Sequence, residues 1–423
     1  MLRLSTKNWF THQKKINNLN VKIVDLSKLE DWVFGKKLIY HKSNKFFKIG
    51  GIKVFTNFYK KNWDQPIIIQ KEVGILGIIK NEIKNEYLLQ AKVEPGNKNK
   101  LQLSPTVQAT KSNYTRIHGG KNVPYLNHFL KKKHYFSINQ SEQGFRYLHK
   151  FNSNILIKIK KNIKKKNNFF WFSAKEIIYL VKRKNMLNMD TLSVFSSFIK
   201  KWKKDFPTNS NKKLNKWIKT NERKYFIKTK IVSLASLTTW IINKKNITHI
   251  LNKHFSIVGA NISANKREVL KWNQPLIKGK KLAFAGFIMN KFNNTNHYLC
   301  RFLLKPGLKN STISCSVNTS DIYNFKKNSI LTTFQKKLIN EYFFNKRKKN
   351  QIIYKNIISD EGGRFLNCQI KCMGLLLKDD FLLKIPSNYF WISQNQLINL
   401  IKHKKIDIES RLLFACINIK NIN

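Results

Sequence analysis

Residues 63–68 read Trp-Asp-Gln-Pro-Ile-Ile, and residues 272–277 read Trp-Asn-Gln-Pro-Leu-Ile, about 210 residues further along. Three more landmarks recur in the same order at nearly the same spacing: residues 29–32 with 237–240, 141–146 with 360–364, and 170–173 with 390–393. In the second of these pairs the alignment matches Glu142 with Glu361. Because rare tryptophans align and the order is kept, the chain consists of one module present twice.

The duplicated module is predicted to mix strands with terminal helices. Alternating, β-branched stretches at 73–79 and 87–93 predict strands, and their counterparts are 282–288 and 298–304. Each copy then closes on a helix, since Ser173 precedes Glu176 by three residues and Ser393 precedes Gln396 by three. We therefore expect an α+β fold, with the first module at residues 1–205 and the second at 206–423.

The charge of the chain is extreme, with 81 Lys or Arg against 22 Asp or Glu and a formal net charge of +59. A hydrophobic content of 42% excludes a disordered basic tail. Only ten of the basic residues are arginine, and Lys, Asn, Ile and Phe all have A/T-rich codons. The Lys-rich stretch 156–170 lies where the second copy carries Asp379 and Asp380. This exchange favours a solvated loop over a phosphate-binding stripe.

Cysteine usage and apolar runs bear on the cellular setting. The five cysteines are odd in number and complete no zinc-binding pattern, so we expect buried, reduced thiols. Residues 1–15 contain no apolar signal core, and no apolar run reaches the length of a membrane span. We expect a cytoplasmic protein.

The densest polar segment carries the candidate site. It comprises residues 90–96 (Gln-Ala-Lys-Val-Glu-Pro-Gly) and 102–116, in which neutral hydrogen-bonding side chains dominate and lysine is scarce. Rows of neutral donors and acceptors suit sugar hydroxyls and base edges. The segment therefore predicts a pocket for a sugar or a nucleotide.

These motifs resemble the signature of the nucleoside-diphosphate-hexose 2,3-dehydratases. The resemblance rests on residues 63–68, 90–96, 103–115, 188–191 and 359–365 and covers nearly the whole chain. It implies two tandem, duplicated Nudix-like modules related by pseudo-two-fold symmetry, a homodimer, and dTDP-4-keto-6-deoxyglucose as the substrate in the making of 2,6-dideoxy sugars. A downstream 3-ketoreductase is then expected in the pathway. The sequence lacks the Arg-Glu-x-x-Glu-Glu core of Nudix hydrolases, so we do not expect diphosphate hydrolysis.

The reaction that the resemblance implies needs a base for the C3 proton, donors to the developing oxyanion and an acid for the departing C2 hydroxyl. We expect no cofactor and no metal, and the chain has no dinucleotide or phosphate-loop motif. The catalytic candidates are Tyr114, Lys111 and Glu361. The substrate-binding candidates are Trp63, Gln65, Gln102, Thr106, Gln108, Thr110, Ser112, Asn113, Arg116, Trp272, Gln274, Ser359, Gly362, Gly363 and Arg364. Among these, Arg116 and Arg364 are candidates for the diphosphate.

The second copy departs from the motif, which leaves alternatives open. Residues 300–307 (Cys-Arg-Phe-Leu-Leu-Lys-Pro-Gly) replace 90–96, and residues 313–318 (Ile-Ser-Cys-Ser-Val-Asn) replace 103–108. A catalytically decayed protein that still binds sugar nucleotides is one alternative. A basic nucleic-acid-binding protein of an A/T-rich organelle or symbiont is another, but it gives no reason for the duplicated Trp-x-Gln-Pro.

Overall fold

A computed structural model describes residues 1–98, 101–117, 119–130, 136–161, 163–252, 254–279, 282–319, 331–345, 350–378, 381 and 383–422. Asp379 and Asp380 lie outside this set. The described residues form four β-sheets and nine α-helices, so the predicted α+β class is confirmed. The helices are α1 Leu4–Ile16, α2 Lys111–Tyr114, α3 Leu126–Leu130, α4 Ala174–Val181, α5 Met189–Ser197, α6 Asn211–Lys224, α7 Thr333–Lys337, α8 Gln394–Lys402 and α9 Ile408–Ile417. None of these helices is long and apolar enough to cross a membrane.

Two sheets are built mainly from the first copy. One contains β2 Trp32–Phe34, β3 Ile39–His41, β4 Lys48–Thr56, β5 Trp63–Ile69 and β11 Tyr147–Leu148. The other contains β6 Gly74–Asn81, β7 Glu86–Val93, β8 Leu101–Ser104, β9 Val107–Ala109, β10 Phe136–Ser141, β12 Phe151–Ile159 and β13 Phe169–Ser173. Strands β6 and β7 confirm the two strands predicted from alternation.

The second copy repeats this plan strand for strand. Its first sheet contains β15 Trp240–Ile242, β16 Asn246–His249, β17 Ser256–Ala264, β18 Lys271–Lys278 and β24 Phe365–Leu366. Its second sheet contains β19 Ala283–Phe292, β20 Thr295–Leu303, β21 Thr312–Ser314, β22 Val317–Asn318, β23 Gln351–Ser359, β25 Gln369–Leu376 and β26 Tyr389–Ser393. The short β11 and β24 run parallel to β5 and β18 respectively, which fixes the correspondence between the copies.

The copies exchange one strand each. Strand β1, Leu19–Val24, pairs antiparallel with β17 of the second copy, and β14, Ile227–Val232, pairs antiparallel with β4 of the first. Helix α1 nevertheless stays on the first copy, where Arg3 makes an ion pair with Glu176 at 2.7 Å. The exchange ties the two modules together through main-chain hydrogen bonds.

Two buried helices join the modules at the centre. Helices α5 and α9 lie against each other, and every residue of α5 is buried. The small serines of α5 permit this approach, and the Ser196 hydroxyl donates to the carbonyl of Ser193 at 2.6 Å. The guanidinium of Arg411 on α9 donates to the Ser141 carbonyl at 3.0 Å.

The predicted helix starts and the cysteine environment are both confirmed. Ser173 and Ser393 each cap their helix, with Glu176 and Gln396 bonding back in complete capping boxes. All five cysteines are free and buried.

Candidate functional site

Each module contributes a loop that closes against a Pro-Gly turn of the other module. The amide of Gly96 donates to the Gly362 carbonyl at 2.7 Å, and the amide of Gly307 donates to the Gly144 carbonyl at 2.6 Å. A Cβ at Gly96 would lie 1.9 Å from the Phe365 carbonyl oxygen, so only glycine allows this approach. The two loops, residues 359–364 and 141–146, therefore define two equivalent places at the junction of the modules.

The strand pairing corrects the alignment of these loops by one residue. Because β11 and β24 are equivalent, Tyr147 corresponds to Phe365. Glu142 then corresponds to Asp360, and the counterpart of Glu361 is Gln143, where the sequence comparison had matched Glu142 with Glu361. The carboxylate of Glu361 is thus present in one loop only.

Glu361 is paired with a phenol from the first module. The hydroxyl of Tyr147 donates to Glu361 Oε2, and the Glu361 side chain remains half-buried. Burial raises the pKa of Glu361 to about 7, although the neighbouring Arg364 guanidinium opposes the rise. Burial also raises the pKa of Tyr147 well above its ordinary value, so the phenol stays protonated. A carboxyl that titrates near neutrality beside a neutral phenol is suited to proton transfer.

A second carboxylate faces Glu361 across Gly363. Gln108 Nε2 donates to Glu94 Oε1 at 2.8 Å, and Asn188 Nδ2 donates to Gln108 Oε1 at 3.0 Å. A Cβ built on Gly363 would lie 3.2 Å from Glu361 Oε1 and 4.0 Å from Glu94 Oε1. The absence of a side chain at this position leaves room between the two carboxylates. We call Glu94, Gln108, Tyr147, Glu361 and Arg364, around Gly363, the Glu361 cluster.

Buried charges surround this cluster. Burial raises the pKa of Asp190 well above its ordinary value, and the carboxylates of Glu142 and Glu361 add to the rise. Burial lowers the pKa of Lys92, with Arg267 adding to the effect, and Lys92 Nζ donates to the Gln108 carbonyl at 3.1 Å. Several groups here therefore have perturbed protonation, which is typical of reaction sites and less typical of a plain structural core.

Part of the predicted set converges on the Glu361 cluster. Gln102 Nε2 donates to Ser359 Oγ at 2.7 Å, and Gln274 Nε2 donates to the Gly363 carbonyl at 2.7 Å. The ring nitrogen of Trp272 donates to Gln274 Oε1 at 3.2 Å. The structure therefore brings together Gln102, Gln108, Trp272, Gln274, Ser359, Glu361, Gly362, Gly363 and Arg364.

Trp63 and Gln65 lie at the other loop. Gln65 Nε2 donates to the Phe145 carbonyl at 2.6 Å, and the Trp63 ring stacks on the Phe145 ring with centroids 6.2 Å apart. Thr106 lies inside the sheet, where its hydroxyl donates to the Leu88 carbonyl and accepts from the Ile79 amide at 3.0 Å. Ser316 bridges the second copy in the same way, so this contact belongs to the fold of both modules.

The segment from Thr110 to Arg116 forms the short helix α2 and the turn after it. Ser112 is buried, and its Oγ donates to Glu72 Oε2 at 2.8 Å. Thr110 Oγ1 lies 3.1 Å from Asn113 Oδ1, and Lys111, Asn113 and Arg116 are exposed. The Tyr114 ring packs against the apolar cluster that contains Val107 and Phe129.

The equivalent place beside loop 141–146 is closed by an ion pair. Lys305 occupies the position of Glu94, and its Nζ lies 3.2 Å from Asp407 Oδ2 and 2.9 Å from Glu409 Oε2. All three side chains are at most 1% exposed. Ser314 and Asn318 donate to the same Asp407 oxygen at 2.8 and 3.0 Å. We call Lys305, Ser314, Asn318, Asp407 and Glu409 the Lys305 cluster.

Sequence reasoning missed Tyr147, Glu94 and Lys92 as functional candidates. Comparison of the copies contains a signal for all three. Tyr147 corresponds to Phe365, and Glu94 corresponds to Lys305. A polar group that the other copy loses or replaces by the opposite charge marks a position whose chemistry the fold alone does not require. Lys92 has Leu303 as its counterpart and carries the same signal.

Comparison with known proteins identifies the family of this chain. A sequence model described as NDP-hexose 2,3-dehydratase matches residues 4–198 and 211–417, once for each module. The chain is 29% identical to a dTDP-4-dehydro-6-deoxy-alpha-D-glucopyranose 2,3-dehydratase of Amycolatopsis orientalis, over 97% of this chain and 89% of the relative. It is 28% identical to the enzyme of that name from Saccharopolyspora spinosa, over 97% and 90%, and 27% identical to the one from Streptomyces violaceoruber, over 97% and 95%. The chain belongs to the NDP-hexose 2,3-dehydratase family.

Proposed function

We propose that this dehydratase eliminates water across C2 and C3 of dTDP-4-keto-6-deoxyglucose. The names of the three relatives support this substrate, since each is a 2,3-dehydratase of that sugar nucleotide. The observation that carries the mechanism is the half-buried Glu361 carboxyl, with its pKa raised by burial to about 7 and its hydrogen bond from Tyr147.

Glu361 is the proposed base. The 4-keto group acidifies the C3 hydrogen, and the Glu361 carboxylate takes that proton as an enolate forms between C3 and C4. A base is most effective when its pKa lies near the working pH, which fits a carboxyl with a pKa of about 7 better than an ordinary one. Arg364, beside Glu361, stabilises the negative charge that develops on the C4 oxygen.

Tyr147 is the proposed acid. When the enolate collapses, the C2–O bond breaks and the leaving hydroxide takes the phenolic proton, so that water departs. The proton held by Glu361 then passes along their hydrogen bond to the phenolate, and both groups return to their starting state. The resulting enol at C3 tautomerises to a 3,4-diketone, which a downstream 3-ketoreductase consumes.

The other members of the site position the sugar. Glu94, Gln108 and Gln274 surround the space at Gly363 and present oxygen and nitrogen atoms to hydroxyl groups. We keep Gln102 and Ser359 as supports of the loop, and Ser112 and Asn113 as contacts from the segment beside Glu72. We assign the proton donor to Tyr147 in preference to Tyr114 or Lys111, because Tyr147 contacts Glu361 directly.

Three further proposals follow from family membership. The modules are Nudix-like, with the boundary near residue 205. The protein works as a homodimer. It works in the cytoplasm, where nucleotide sugars are made. Analytical ultracentrifugation tests the second of these directly, and a dimer of about 100 kDa is expected from a chain of 50.0 kDa.

One experiment tests the function. Purified protein is incubated with dTDP-4-keto-6-deoxyglucose, a 3-ketoreductase and NADPH, which trap the labile diketone as a stable 2-deoxy sugar nucleotide. We expect 2-deoxy product by mass spectrometry and one solvent-derived proton at C2 when the reaction runs in deuterium oxide. No product above a heat-killed control would refute the dehydratase assignment, and unchanged substrate with measurable binding would indicate a decayed homologue.

A further inference from the structure

A cleft of about 580 Å³ lies between the modules, and its lining includes Gln90, on the strand that leads to Glu94. Its walls come from α1, from residues 121–124 and 165–168, and from the hairpin between β17 and β18. Five cations line it: Lys121, Lys165, Lys166, Lys266 and Arg267. We call these residues the basic cleft.

The cations that line the basic cleft outnumber its acidic lining residue. Glu268 is the acidic residue of its lining, and its Oε2 lies 3.4 Å from Arg267 Nε. Burial alone would raise the pKa of Glu268, yet Arg267 and Lys92 hold it below its ordinary value. The carboxylate is thus already matched by neighbouring cations, and Lys121, Lys165, Lys166 and Lys266 remain in excess over it.

Arg267, in the lining of the basic cleft, makes two contacts toward the Glu361 cluster. Arg267 Nη1 donates to the carbonyl of Val93 at 2.6 Å, and Val93 directly precedes Glu94. The Arg267 guanidinium also lies 5.8 Å from the ring of Trp272, which bonds to Gln274 and through it to Gly363. Arg267 therefore links the cleft to the strand that leads to Glu94 and, through Trp272 and Gln274, to the loop that carries Gly363.

We propose that the basic cleft binds the diphosphate of a nucleoside diphosphate sugar. This inference rests on the proposed function and deepens it, since the diphosphate is attached at C1, next to the C2 that loses its hydroxyl. Lysine ammonium groups and an arginine fork both complement phosphate oxygens. The proposal moves the diphosphate away from Arg116 and Arg364, and it revises the interpretation of Lys165 and Lys166 as part of a merely solvated loop.

The test is direct binding of dTDP, which needs no turnover. The double substitution Lys165→Glu and Lys166→Glu reverses two exposed charges of the cleft, and it also removes the contact of Lys165 Nζ with the Phe170 ring at 4.2 Å. The matched control is Lys212→Glu with Lys213→Glu, two exposed residues in the first turn of α6. The control changes the net charge equally, and acids in a first helical turn do not oppose folding.

We expect calorimetry to show dTDP binding at least tenfold weaker in the cleft variant and within twofold of wild type in the control. Thymidine, which has no phosphate, should bind both variants alike. In turnover, KM should rise in the cleft variant while kcat is kept. A second cleft variant, Lys266→Glu, changes one exposed residue of the second module and should also weaken dTDP binding. This single substitution tests the proposal independently if the double variant does not fold.

Several results would overturn the proposal. Equal weakening in the cleft and control variants would attribute the effect to net charge. Unchanged dTDP affinity in both cleft variants would place the diphosphate elsewhere. Lost binding of a single-stranded RNA without lost dTDP binding would assign the cleft to nucleic acid. A different result concerns the proposed reaction alone. If the wild-type protein binds dTDP in the cleft but forms no 2-deoxy product, the proposed reaction is refuted and the diphosphate site is retained.

Discussion

The Glu361 cluster and the Lys305 cluster occupy equivalent places on the same backbone frame, yet their chemistry is opposite. In the Lys305 cluster an ammonium lies between two carboxylates at 2.9 and 3.2 Å, and Ser314 and Asn318 donate further hydrogen bonds to Asp407. In the Glu361 cluster the equivalent position is Glu94, and its partners are amide groups. The Lys305 cluster is therefore paired internally, whereas the Glu361 cluster keeps a carboxyl, Glu361, whose pKa burial raises to about 7.

The space differs as well as the charge. Gly363 leaves room between Glu94 and Glu361, whereas its counterpart Phe145 fills that room and stacks on Trp63. A ligand entering the Lys305 cluster would have to displace a ring and break a buried ion pair, which together cost several kcal/mol. The comparison teaches that duplication produced two equivalent places on the backbone. In the one beside loop 141–146, the protein's own side chains fill the space.

Glu361→Gln should have the largest effect, because it removes the proposed base and copies the amide that Gln143 carries in the other loop. We expect kcat/KM to fall about a thousandfold, within the range for general bases. The exposed Glu30→Gln is the control and should keep wild-type activity. The readout is the coupled 2-deoxy sugar assay with circular dichroism for folding. If kcat/KM of a folded Glu361→Gln protein falls by less than tenfold, Glu361 is not the base.

Lys305→Met should break the other half of the comparison. It leaves Asp407 and Glu409 buried without their cation, and we expect a loss of about 3–5 kcal/mol in the free energy of unfolding by urea. The control is Lys405→Met, since Lys405 and Glu222 form an exposed pair at 3.4 Å that should contribute less than about 1 kcal/mol. Equal effects of the two substitutions would show that the Lys305 cluster is not the internal closure described above.

Gly363→Phe should make the Glu361 cluster resemble the Lys305 cluster by filling its space. We expect kcat/KM to fall roughly a hundredfold while the protein stays folded, because a displaced sugar loses its alignment with the base. Gly363→Ala should lie between, since its methyl group would lie 3.2 Å from a carboxylate that can shift. Activity is followed together with dTDP binding, which should persist. Full activity of the Phe variant would show that the substrate does not occupy this space.

Tyr147→Phe, which copies Phe365, should have the smallest effect of the series. We expect kcat to fall roughly tenfold, because the proposed acid is lost, and a phenol whose pKa lies well above its ordinary value is a weak proton donor. The wild-type kcat/KM should rise with pH through about 7, because only the ionised Glu361 is a base. Since the bond from Tyr147 lowers the pKa of Glu361, its loss should move this limb to higher pH. A purely structural tyrosine would change stability and leave the limb in place.

The sequence alone determined the duplication, the α+β class, the capped helices and the family. These follow from local or repeated patterns: alternation in strands, Ser-x-x-Glu spacing, and motifs long enough to compare with known enzymes. Sequence motifs also single out Glu361, Gly363, Arg364, Gln108 and Gln274, which the structure brings together in the candidate site.

Only the tertiary structure decided which motifs meet. Trp63 and Gln65 contact the loop that faces the Lys305 cluster, whereas Trp272 and Gln274 lie at the Glu361 cluster. Tyr147 and Glu361 come from different modules, more than 200 residues apart. The physical reason is that each loop is held by main-chain hydrogen bonds to the other module's Pro-Gly turn, a pairing set by packing of the two modules and not by any local spacing.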